Sequence, residues 1–109
     1  MIDHTGLQVS DPKKSRHFYN ETLAPLGYGL APKADFWVSE GAPNNPAVHI
    51  AFSAKDRKQV DEFYKAALAS GGKDNGTPGP RPHYQKYYYG AFVLDPDGHN
   101  IEAVCHLPE

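Results

Sequence analysis

Residues 4–27, HTGLQVSDPKKSRHFYNETLAPLG, and residues 49–72, HIAFSAKDRKQVDEFYKAALASGG, carry one pattern twice. Aligned without a gap at an offset of 45 residues, they are identical at eight of 24 positions: His4/His49, Asp11/Asp56, Lys13/Lys58, Phe18/Phe63, Tyr19/Tyr64, Leu23/Leu68, Ala24/Ala69 and Gly27/Gly72. Most of the other pairs agree in polarity. Two copies exclude a stacked solenoid, which needs three or more repeats to bury its faces. They point instead to a domain of two paired modules.

Each copy opens with a strand-like run, residues 2–9 and 48–54. An Asp follows at the place of a helix N-cap, Asp11 or Asp56, where a carboxylate accepts from exposed backbone N–H groups. Pro12 suits a first helical turn, and Asp56 with Gln59 resembles a capping box. Val60, Phe63, Tyr64, Ala67 and Leu68 fall on one helical face, as do Phe18, Tyr19, Thr22 and Leu23 in the first copy. Gly27, Gly71 and Gly72 end the helices. In copy one, residues 28–31 and 35–40 then read as strands interrupted by Pro32. In copy two, residues 72–82 read as a loop, and 87–94 and 100–104 as a hairpin around Asp95-Pro96-Asp97-Gly98. Residues 41–46 read as the linker. The expected fold is α+β, a single domain over 1–109 with module one at about 1–42 and module two at about 47–109.

The composition is that of an ordinary globular chain, 39% hydrophobic and 22% charged. A net charge of −2 and the lack of a basic run give no reason to expect nucleic acid or an acidic membrane as partner. One cysteine, Cys105, excludes an internal disulfide and a thiolate zinc site. It reads as a small buried hydrophobe. With no signal-peptide pattern and no run long enough to span a bilayer, a cytoplasmic location is expected.

The repeat sets His4 and His49 at equivalent places near the start of each first strand. A pseudo-twofold relation between the modules would bring the two histidines together, as a divalent metal site needs. Glu102 lies among apolar Ile101, Ala103 and Val104, and a carboxylate there is costly without a cation or partner. Two histidines and one carboxylate leave coordination positions open to a substrate.

The segments IDHTGLQVSD around His4, AVHIAFSA around His49, and DPDGHNIE at 95–102 resemble the metal-ligand segments of the glyoxalase, bleomycin-resistance and extradiol dioxygenase superfamily, the vicinal-oxygen-chelate proteins. The likeness spans nearly the whole chain and is most specific in DPDGHNIE. It implies paired βαβββ modules curled around a metal site, with His4, His49 and Glu102 as ligands to Zn, Fe, Mn, Ni or Co. Two features depart from the family. The glyoxalase I branch has a fourth ligand late in module one, usually Glu, where Trp37 is the expected occupant here. An indole N–H only donates, which speaks against glyoxalase I activity proper. Between Gly27 and Gly41 there are 13 residues, room for two strands where the family has three.

Arg81, His83, Tyr84, Tyr87, Tyr88 and Tyr89 form an aromatic and cationic cluster. Strand packing and a substrate pocket are both open readings. In the pocket reading Tyr87 and Tyr89 share a face and, with Trp37, Arg81 and His83, bind substrate. His17 and His99 read as exposed, and His106 as a lesser alternative ligand. The resemblance implies a glyoxalase-like, metal-dependent enzyme acting on a small substrate with vicinal oxygens, by lyase, isomerase or dioxygenase chemistry. The alternative is a drug- or metabolite-sequestering protein of the bleomycin-resistance type, which needs no metal. No catalytic base is assigned, His83 and a metal-bound water being the options. Relatives of this length usually form homodimers, sometimes with exchanged modules, so a homodimer is expected.

Overall fold

The computed structural model describes residues 4–28, 36–44 and 47–108, with Trp37 described by its main chain only. Module one contains β1 (Thr5–Val9), α1 (Pro12–Leu23), a 3₁₀ turn (Ala24–Leu26) and β2 (Phe36–Glu40), with β1 and β2 parallel. Module two contains β3 (His49–Ser53), α2 (Arg57–Ala69), β4 (Lys73–Pro80), β5 (Tyr89–Leu94) and β6 (Asn100–Cys105). These four strands form a sheet in the order β3-β6-β5-β4, with β3 and β6 parallel and the other pairs antiparallel. Module two is therefore a βαβββ unit. The β1–β2 pair of module one repeats its β3–β6 pair.

Both helices start where their Asp residues direct. Asp11 Oδ1 accepts from Lys14 N at 3.2 Å, and Asp56 Oδ1 from Gln59 N at 2.9 Å. Gln59 Oε1 in turn accepts from Lys55 N at 2.7 Å, one residue before the cap. Val60, Phe63 and Ala67 of α2 are fully buried, as are Phe18, Tyr19 and Leu23 of α1. They meet Ala91, Val93, Ile101, Ala103 and Cys105, which form the covered face of the large sheet. Edge-to-face contacts of Tyr19 with Phe36 and of Phe36 with Phe52 carry this core across both modules.

The expected loop over 72–82 is instead mostly strand, β4. Pro78 and Pro80 are tolerated because β4 is the sheet's outer strand, where a missing N–H breaks no central ladder. Two register shifts, Asp74/Gly76 and Gly76/Gly79, absorb the irregular composition. Of the strand expected at 28–31, only Tyr28 lies among the described residues, and it is not in a strand.

The Asp95-Pro96-Asp97-Gly98 turn is clamped by module one. Asp95 Oδ1 accepts from the backbone N–H groups of Asp97 and His99, and Oδ2 from the buried hydroxyl of Tyr19. Ser10 Oγ donates to Asp97 Oδ1 at 2.6 Å. His99 is not exposed as expected. It is fully buried, and its Nδ1 accepts from Val48 N at 3.0 Å, stitching the turn to the chain before β3. Burial first, then the charge and hydrogen bond of Asp95, hold the Tyr19 hydroxyl far above the usual tyrosine range. A raised folded-state value means that this stabilisation is complete below about pH 10 and drains away as pH rises above it. Tyr19→Phe is expected to lose about 1–3 kcal/mol at neutral pH, by leaving a buried carboxylate oxygen short of a donor. Its stability should fall less steeply than wild type above about pH 10. Denaturant unfolding at neutral and alkaline pH measures both, and matching curves would refute the clamp.

Candidate functional site

Parity along the strands of module two separates two faces. Ile101, Ala103, Ala91 and Val93 face the helices and core. Glu102 takes the other face, opposite Ala51 of β3 and Phe92 of β5. His49, two residues before Ala51, shares that face. Its Nε2 lies 3.1 Å from Glu102 Oε1. The carboxylate is buried, while the imidazole is 48% exposed. Phe92 stacks on the imidazole, with 6.2 Å between centroids.

The ring's other nitrogen fixes the chemistry of this contact. His49 Nδ1 lies 3.1 Å from the carbonyl oxygen of Asn100. A carbonyl only accepts, so Nδ1 carries the proton. Nε2 is then the atom left to face the carboxylate. Two lone pairs at that separation require a positive centre, either a second ring proton or a cation. A divalent ion fits the spacing. Two donors each ~2.1 Å from one ion, at tetrahedral to octahedral angles, stand roughly 3.0–3.4 Å apart. A backbone carbonyl holding the far nitrogen is also the usual support of a metal-bound histidine.

Tyr88 completes this corner. Its hydroxyl donates to Glu102 Oε2, and its ring packs edge-on against His106 and Tyr84. Burial, then the hydrogen bond and charge of Glu102, raise the Tyr88 hydroxyl above the usual tyrosine range, with Arg81 opposing, so it stays a neutral donor. Neither of the tyrosines expected to bind substrate, Tyr87 and Tyr89, is placed against Glu102. Tyr89 turns to the helix side, donating to Asp61 Oδ1 at 2.7 Å beneath the Arg57 guanidinium. Tyr87 is exposed beside the Lys86 ammonium. Arg81 is a strut, donating to the carbonyls of Gly79 and Thr77 at 2.9 Å and lying over Phe92. His83 is exposed, with its ring edge-on to Tyr84, which is in turn edge-on to Tyr88.

His4 is exposed beside β1, at a groove of about 560 Å³ lined also by Gly6, Gln8, Ser39 and Asn44. Among the described residues, no three His, Cys, Asp or Glu side chains gather closely enough to share an ion. One chain thus brings His49 and Glu102 together and does not bring His4 to them.

The sequence profile of the glyoxalase/bleomycin resistance protein/dioxygenase superfamily matches residues 29–103, more than half of the chain. The chain belongs to this superfamily. Its similarity to a probable lactoylglutathione lyase of Vibrio cholerae is 32% identity, covering 94% of this chain and 88% of the relative. The fold resembles that of a glyoxalase/bleomycin resistance protein from Albidiferax ferrireducens, with a TM-score of 0.81, 26% identity, and 96% and 98% of the two chains covered. A glyoxalase/dioxygenase from Nostoc punctiforme shares the fold at a TM-score of 0.69 and 19% identity, with 98% and 91% covered. Among the described residues, no helix is long and apolar enough to cross a membrane.

Within this superfamily fold, strand register assigns the position of Trp37. Gly6 of β1 pairs with Trp37 of β2, and Ala51 of β3 pairs with Glu102 of β6. The repeat aligns Gly6 with Ala51. Trp37 therefore stands, by main-chain register, where module two has its carboxylate. Its side chain lies outside the described residues.

Proposed function

We propose that this glyoxalase-superfamily protein is a metal-dependent enzyme acting on a small substrate with two adjacent oxygens. His49 and Glu102 of one copy, with His4 of a second, hold a divalent ion drawn from Zn, Fe, Mn, Ni and Co. The observation that carries this reading is the 3.1 Å approach of His49 Nε2 to a buried carboxylate, with Nδ1 already committed to a carbonyl. When bound, the ion supplies Lewis acidity that polarises vicinal oxygens. The protein's own residues do the rest. Asn100 O orients His49, Tyr88 orients Glu102, and Phe92 backs the imidazole against a flat apolar surface.

Where the ligands sit supports the homodimer reading. Among the described strands, β1 and β3 are each paired along one edge only. Alternate residues of β3, His49, Ala51 and Ser53, are exposed. A second copy that sets its β1 beside β3 supplies His4 to the pair and shields an open strand edge.

The ligand set also bears on the reaction. The Vibrio cholerae relative is named a probable lactoylglutathione lyase, but the fourth ligand expected of that branch is replaced by Trp37. We therefore favour three-ligand chemistry on another small vicinal dioxygen substrate. Trp37→Glu restores the missing carboxylate at the equivalent register. It is expected to tighten metal binding by roughly a hundredfold or more, since each structural-zinc ligand accounts for roughly 2.5–4 kcal/mol. Gain of lactoylglutathione lyase activity should accompany it. Unchanged affinity would contradict the register argument.

The function itself is tested by screening metal-loaded wild type against small 2-oxoaldehyde, 2-hydroxyketone and catechol substrates, beside Glu102→Ala. Turnover lost in the variant supports the enzyme. Ligand binding by calorimetry that is indifferent to metal and to Glu102 would point to sequestration instead.

A further inference from the structure

We infer that Tyr88 is a positioning residue that makes Glu102 a one-oxygen ligand and so keeps a coordination position open for substrate. This rests on the metal reading proposed above. A carboxylate can chelate one ion through both oxygens. Here Oε2 is occupied by the Tyr88 hydroxyl, and only Oε1 faces His49 Nε2.

The sheet is built to allow this. The register pairs Tyr89 with Cys105 and Gly90 with Val104. Continued by one residue, it sets Tyr88 opposite His106, and their rings do touch. To reach Glu102, the Tyr88 ring must lean along the face across position 90. Gly90 makes that path available. A Cβ there would stand 3.1 Å from the Tyr88 ring and 3.2 Å from Glu102 Oε2, closer than side chains ordinarily pack. Gly90 has no positive φ to explain its identity. Its missing side chain is the space in which the phenol and the carboxylate meet. Tyr84, edge-on to Tyr88 at 5.0 Å, and the bond from Arg81 N to Tyr88 O hold the tyrosine from the loop side.

With Oε2 tied, the protein commits one oxygen to the ion, and the vacant position stays open for the substrate's second oxygen. Without the hydroxyl, Oε2 is free to swing onto the ion and fill it.

The test uses Co(II) alone as the probe, followed by its visible absorption and by titration, on wild type, Tyr88→Phe, Gly90→Ala and Tyr64→Phe. Wild type should give the intense bands of a low-coordinate site. In Tyr88→Phe the absorption per bound ion should fall severalfold as the freed Oε2 joins the ion and coordination number rises. Gly90→Ala, which keeps the hydroxyl but crowds it, should shift the spectrum the same way. Tyr64→Phe, whose hydroxyl contacts Asp74, should match wild type. Wild-type spectra in both Tyr88→Phe and Gly90→Ala would overturn the positioning role while leaving the metal reading intact. Failure of wild type to bind Co(II) would overturn both.

Discussion

Glu102→Ala is expected to abolish stoichiometric metal binding, and His49→Ala to do the same. Structural zinc sites are worth roughly 10–16 kcal/mol for four ligands, so one ligand lost costs on the order of several hundredfold in affinity. The loss at Glu102 is expected to exceed this. Its carboxylate is the one acidic donor at the pair, and without it only the two histidines remain to hold the ion. Folding should survive the change. A carboxyl group at 1% exposure is a desolvation burden that its partners offset, and the apolar face of β6 does not depend on it. Metal content by elemental analysis, with an unfolding curve on the same samples, separates these effects. Metal retained at wild-type level in both variants would contradict the site. Metal lost together with the cooperative transition would mean that Glu102 is structural.

The sequence made the modules legible because helix capping and helical periodicity are local. Asp11 and Asp56 needed only their own next turn to act as caps. The repeat also pointed at His4 and His49, and the apolar flanks of Glu102 with the DPDGHNIE resemblance pointed at Glu102. What it could not supply were relations set by register. Parity shows which tyrosines share a face, but not which face holds Glu102. The register across the turn settles it. Leu94 pairs with Asn100, hence Phe92 with Glu102, and the even-numbered Tyr88 falls on the site. His99 gave no local signal of burial, since its Nδ1 bond is to Val48, 51 residues away. The stretch over 73–80 looked like loop because Gly and Pro usually break strands, yet an outer strand tolerates them. Arg81, expected to bind substrate, follows β4 directly and donates to the Gly79 and Thr77 carbonyls of that strand, contacts no local pattern announces.

His4 is the one expected ligand that a single chain does not bring to the others. A site shared between two copies is tested most directly by mixing two defective proteins. His4→Ala retains His49 and Glu102, while Glu102→Ala retains His4. Each alone should bind almost no ion. Unfolded together in equal amounts and refolded, they should form mixed dimers as half of the population, each with one complete site of two. Metal should then return to roughly a quarter of an ion per chain, with the same share of any turnover. Mixtures that stay at the level of the separate variants, although size and mass measurements show mixed dimers, would contradict a site built from two copies.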